Sequence, residues 1–283
     1  MKDEQVWRLQ AALGLTRSIV GVRFLYTWAE YQDSPYPDYG KRTRFCAMVR
    51  QASESTSAFK CGCDAFSCGR SRIALGVDPM DSATASGEVY YGCGLYSSRA
   101  IAKQVQNEVT CINQQIYGIE AGPLTALEEA DVVIFMADAY HMMRVVQGYC
   151  NQFGALKQVG MAGNQGVCSD LCARPYEKND LNFSFLCEGT RRACGWSRND
   201  IGVGLPINLF DGLVEGVLNT LSLIETQEEK DAIARRLAEA DAGDVPIDRN
   251  DYYGIHAGAW RRKRSEDEAR LAAWQQAQDP QPE

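Results

Sequence analysis

Eleven cysteines stand against two histidines in this chain of 283 residues. Most of them fall in short glycine-bearing clusters, not along apolar faces. A free cysteine commonly packs as a small buried hydrophobe. A run such as CGCDAFSCG (61–69) is set among glycine and aspartate, so its thiols call for another task. Glycine there lets backbone wrap closely round a bound object. That run contributes Cys61, Cys63 and Cys68. A second cluster, GNQGVCSDLC, supplies Cys168 and Cys172 where a glycine loop (160–166) opens into a helix. A thiolate at such a helix start is favoured by the backbone N–H groups. Cys187 and Cys194 follow a strand, and Cys46 stands alone near the front of the chain. Cys93, Cys111 and Cys150 read as buried core thiols.

The compartment decides what thiols can do. The opening MKDEQVWRLQAALGLTR has no apolar h-region, so no secretory signal is expected. No stretch of ~18 uncharged apolar residues is present. The best candidate, 201–224, is broken by Asp211 and Glu215. A cytoplasmic chain with reduced thiols follows as the expectation, and an odd cysteine count argues against a closed disulfide framework. The 45% hydrophobic and 23% charged fractions are those of a globular protein. A net charge of −8 argues against a nucleic-acid partner, which needs a basic face.

Hydrophobic spacing predicts helices over 4–13, 44–52, 97–109, 139–152, 207–223 and 226–240. Strands are predicted over 18–26, 131–136 and 181–186, and loops over 31–41, 60–69 and 78–87. The fold class is therefore α/β or α+β, a mixed sheet with flanking helices. The strand–helix pairs beginning at 18 and 131 allow two similar halves around a cysteine-rich centre. One cysteine-rich domain is expected over 1–240, followed by a polar extension over 241–283.

Spacing narrows the chemistry only in part. Cys63-x4-Cys68 and Cys168-x3-Cys172 lie within the range of structural zinc knuckles, but Cys-x-x-Cys is absent. The spacings match neither common ferredoxin run. With cysteine the plentiful soft ligand, iron–sulfur or zinc chemistry is favoured over harder metals. Candidate metal ligands are Cys46, Cys61, Cys63, Cys68, Cys168, Cys172 and Cys187. His141 lies in an apolar helix and reads as a core residue; His256 lies in the aromatic segment 252–260. Arg191, next to the Cys187 cluster, is the candidate for orienting an anionic group, because guanidinium binds carboxylates and phosphates bidentately. Arg192, Arg70 and Arg72 sit in similar positions. The basic run 261–264 runs straight into Glu266, Asp267 and Glu268, and so reads as a solvated face.

Several segments in order carry a resemblance. They are GVRFLY, RFCAMVRQA, CGRSRIALG, YYGCGLYSS, ADVVIFMADAYHMMRVVQGY, GVCSDLCARPY, FLCEGTR and VGLPINLFDGL, spanning about 13 to 223. The chain resembles the domain of unknown function 169 family, also described as uncharacterised ArCR-type proteins. The resemblance implies a cytosolic, mostly prokaryotic protein, often from anaerobes. It also implies that the family's cysteine positions fall on Cys46, Cys68, Cys168 and Cys187. Four thiolates is the number a [4Fe–4S] cluster takes. The expectation is an iron–sulfur oxidoreductase or lyase with a small-molecule substrate, and with an electron-transfer protein or a homo-oligomer as open partner classes. No nucleic acid or membrane partner is expected. The alternatives left open are a zinc-binding or metal-free accessory module and a metal-free thiol enzyme.

Overall fold

The computed structural model describes residues 2–247, 266 and 268–273. His256 and the basic run 261–264 lie outside the described residues. Six strands form one sheet: β1 Val20–Leu25, β2 Phe59–Gly62, β3 Gly118–Pro123, β4 Val132–Ala137, β5 Asn182–Ser184 and β6 Ile201–Pro206. Their order is β2-β3-β1-β4-β6-β5, and every pair is antiparallel. Mixed α and β content was expected; the uniform pairing places the fold in the α+β class.

That strand order is a palindrome. Exchanging β1, β2, β3 for β4, β5, β6 leaves it unchanged. The registers repeat as well. Val20 pairs with Pro123 and Leu25 with Gly118; Val132 pairs with Pro206 and Ala137 with Ile201. At the junction Val20 meets Ile134, Gly21 meets Val133 and Val22 meets Val132, a pairing that also survives the exchange. Both β3 and β6 end on proline and run into a 3-10 turn, Leu124–Ala126 and Ile207–Leu209. The two halves are thus related by an internal pseudo-twofold.

Alternation along the central strands feeds two cores. Val132 and Ile134 of β4 face one core, and Val133, Phe135 and Ala137 face the other. The second core is closed by helices Lys2–Ala12, Ala139–Phe153, Phe210–Ile224 and Gln227–Glu239. Asp138 and Thr226 start two of these helices by accepting backbone N–H groups three residues on. This core also buries the Arg144–Glu225 ion pair, completed by the Tyr140 hydroxyl at 2.5 Å. His141 is not a core residue. It lies at the start of its helix, with Nδ1 2.8 Å from Asp138. The chain stays packed beyond 240: Ala242 is buried, and its carbonyl accepts the Arg8 Nε–H at 2.9 Å.

The first core carries the thiols. Helix Phe45–Ser53 covers it in one half, and a π-helical turn, Ser169–Ala173, covers it in the other. The π turn lies directly on β6. A Cβ at Gly204 would stand 2.1 Å from the Leu171 carbonyl oxygen, and one at Gly202 would stand 2.2 Å from a Leu171 methyl. Glycine at both positions is what admits backbone so close to the sheet.

Candidate functional site

The pseudo-twofold brings equivalent residues to one place. Cys46 is the second residue of helix Phe45–Ser53, and Cys168 directly precedes the π turn. Cys68 and Cys187 each precede a short helix, Gly69–Ala74 and Glu188–Ala193. Each half therefore contributes one thiol from the start of a core helix and one from the residue before a short helix. All four line a single pocket of about 570 Å³. Burial raises the Cys168 pKa well above the ordinary thiol value, and charge on Cys46, Cys187 or Cys68 raises it further. Those three thiols are thus close enough to Cys168 for their charges to act on it. Cys187 accepts the Thr190 backbone N–H at 3.4 Å and contacts its hydroxyl at 3.2 Å.

The remaining lining is cationic and polar. Arg44, Arg70 and Arg192 border the pocket, with Glu188 as the acidic neighbour. Arg192 pairs with Glu188 at 2.8 Å. Arg70 lies 4.6 Å over the Tyr90 ring and donates to the Asn164 carbonyl at 3.4 Å. Arg44 donates to the Gly189 carbonyl at 3.3 Å. Asn164 is 2% exposed, and among the described residues neither its side-chain oxygen nor its nitrogen has a hydrogen-bond partner. Buried amides are nearly always paired, by protein, water or a bound group, so this one leaves hydrogen-bonding capacity at the pocket wall.

Other expected ligands are placed elsewhere. Cys61 alternates inward on β2 and is fully buried in the first core, where burial pushes its thiol up to about 12. Cys172 is fully buried within the π turn. Cys63 donates to the Ile116 carbonyl at 3.2 Å and lines a separate pocket with Trp28, Tyr31 and Tyr117. Arg191 does not border the thiol pocket. Its guanidinium is spent on the carbonyls of Phe185, Ser197 and Asp200, tying the loop between helix Glu188–Ala193 and β6. Arg72 is held by Asp78. Cys93 and Cys150 are exposed, contrary to the core expectation, and Cys111 is half-buried.

Sequence reasoning missed Arg44 and Asn164, although RFC places Arg44 two residues before Cys46 and GNQG places Asn164 inside the glycine loop. It also left Cys194 out of the candidate set. The Cys194 Sγ stands 3.3 Å from the Cys46 Sγ. In this pair Cys194 ionises the more readily, because Cys46 donates to it and the Arg44 guanidinium lies close. Cys46 is correspondingly held protonated. Among the described residues, no three His, Cys, Asp or Glu side chains stand close enough together to grip a single metal ion. Among the same residues, no helix is long and apolar enough to cross a membrane.

Fold and site define an α+β protein with two equivalent halves facing one four-thiol pocket. The chain belongs to the domain of unknown function 169 family, described as uncharacterised ArCR, whose model matches residues 8–216. It is similar to an uncharacterised protein of Methanocaldococcus jannaschii, 23% identical over 217 residues, covering 76% of this chain and 92% of the relative. No solved structure matches it.

Proposed function

We propose that this chain binds a [4Fe–4S] cluster through Cys46, Cys68, Cys168 and Cys187 and works on a small anionic molecule in a reducing cytoplasm. The observation that carries the reading is that these four thiols, two from each half, line one pocket. Four cysteine thiolates are the donor set that a [4Fe–4S] cluster takes. When bound, such a cluster supplies electron transfer, or Lewis-acid activation at an iron left open. The chain's own groups do the rest. Arg44, Arg70 and Arg192 take the anion-orienting role expected of Arg191. The unpartnered Asn164 amide offers both a donor and an acceptor to the bound group. Cys168, which burial holds as a neutral thiol, gives up its proton on ligation. Cluster loading is therefore expected to strengthen as pH rises from 6 to 8.

The test is anaerobic purification followed by iron, sulfide and visible-absorption measurement. The reading expects a brown protein whose absorption is lost in Cys168→Ser. A colourless, iron-free protein that fails anaerobic reconstitution with ferrous iron and sulfide overturns it.

A further inference from the structure

We propose that Cys46 and Cys194 form a redox-sensitive dithiol, and that its closure to a disulfide by a hydroperoxide withdraws Cys46 from the four-thiol pocket. The modification site stands on geometry alone, whereas its consequence for cluster loading rests on the reading above. The two sulfurs are 3.3 Å apart on different elements, Cys46 in helix Phe45–Ser53 and Cys194 at the end of helix Glu188–Ala193. The segment after Cys194 is pinned to the Cys46 helix. The Trp196 indole N–H donates to the Cys46 carbonyl at 3.1 Å. Arg50, from that same helix, lies 5.7 Å from the centre of the Trp196 ring, and Arg17 lies 5.0 Å from it. The pair is thus held in register and is no chance approach of mobile side chains.

The two thiols differ in exposure. Cys46 is half-buried on the pocket wall, and Cys194 lies buried behind it. Hydrogen peroxide is small enough to enter by the pocket. One of the two sulfurs, losing its proton, attacks one peroxide oxygen, the O–O bond breaks, and the hydroxide that leaves takes up that proton as water. The resulting sulfenic acid is attacked by the other sulfur, which loses its proton; the S–S bond forms, the S–O bond breaks and a second water departs. Two thiols are oxidised by two electrons and one peroxide is reduced to two waters.

The experiment uses the full metal-free chain. It is treated with hydrogen peroxide, alkylated, digested and mapped by mass spectrometry, and in parallel offered ferrous iron and sulfide anaerobically. The expected result is a bridged peptide joining Cys46 to Cys194, joint loss of both thiols from alkylation, and return of both on dithiothreitol. Iron uptake should fall and recover with them. In Cys194→Ser the same dose should yield no bridged peptide at Cys46. Peroxide treatment that consumes other thiols while Cys46 and Cys194 stay unbridged overturns the inference. Peptide mapping needs no metal, so a bridge without iron uptake indicts only the cluster reading, and iron uptake without a bridge indicts only this one.

Discussion

The two halves share strand order and register but differ in what lies over the sheet. In the first half, Ile119 and Ala121 of β3 meet a regular helix carrying Cys46. At the matching register positions of β6 stand Gly202 and Gly204, and a π turn beginning just after Cys168 rests on them. The first half keeps side chains on the strand beneath its helix. The second half strips the strand and brings backbone down onto it. Cys168 is accordingly 9% exposed, while Cys46 is half-buried and touches Cys194. One frame used twice therefore yields two unequal core-helix thiols, Cys168 buried and Cys46 half-buried against a fifth thiol.

The contrast predicts an asymmetry in packing, and this is the largest effect expected. Gly204→Ala puts a methyl on the Leu171 carbonyl and should cost about 3 kcal/mol or more by denaturant unfolding. Ala121→Gly, at the equivalent position, should cost only about 1 kcal/mol. Equal losses would deny that the π turn depends on bare strand. Next comes Asp170, inside the same turn, whose pKa burial raises to about 7 despite the Ser184 hydroxyl bonded to it at 2.8 Å. A carboxyl with its folded pKa above its unfolded value costs stability progressively as pH rises from about 4 to 7. Asp170→Asn should therefore raise stability at pH 8 by up to roughly 3 kcal/mol, and that gain should fade as pH drops toward 4. A pH-independent difference in urea unfolding would count against it. The smallest effect belongs to the exposed Arg192–Glu188 pair. Breaking it with Glu188→Gln should shift stability by less than about 0.5 kcal/mol, read as an almost unchanged melting temperature.

The longer helices were legible because their periods are plain. The expected 139–152 is observed as Ala139–Phe153, and 226–240 as Gln227–Glu239. The first strand of each half was also found, since VGVRFL and VVIFMA are apolar and largely β-branched or aromatic. The strands β3 and β6 were missed. GIEAGP and IGVGLP carry the glycine and proline that read as turns, yet in β6 the glycines answer to a neighbour remote in sequence, and both prolines close a strand. Cys61 was misassigned because CGC looked like a loop; Cys61 lies in the alternation of β2, whose period of two turns that thiol into the core. Arg191 and Arg192 were indistinguishable in sequence, but one step along a helix separates a residue tying a loop from one bordering the pocket. The four pocket thiols came from family likeness and from no spacing rule, because their convergence depends on a pseudo-twofold that the two halves' slight identity hides.

The two halves are proposed to share one cluster. Iron per chain after anaerobic reconstitution, measured for Cys46→Ser/Cys68→Ser and for Cys168→Ser/Cys187→Ser beside the unaltered chain, tests it most directly. A shared [4Fe–4S] site predicts about four irons in the unaltered chain and essentially none in either double variant. Half the iron surviving in each variant would mean two separate sites, one in each half, and would contradict the account.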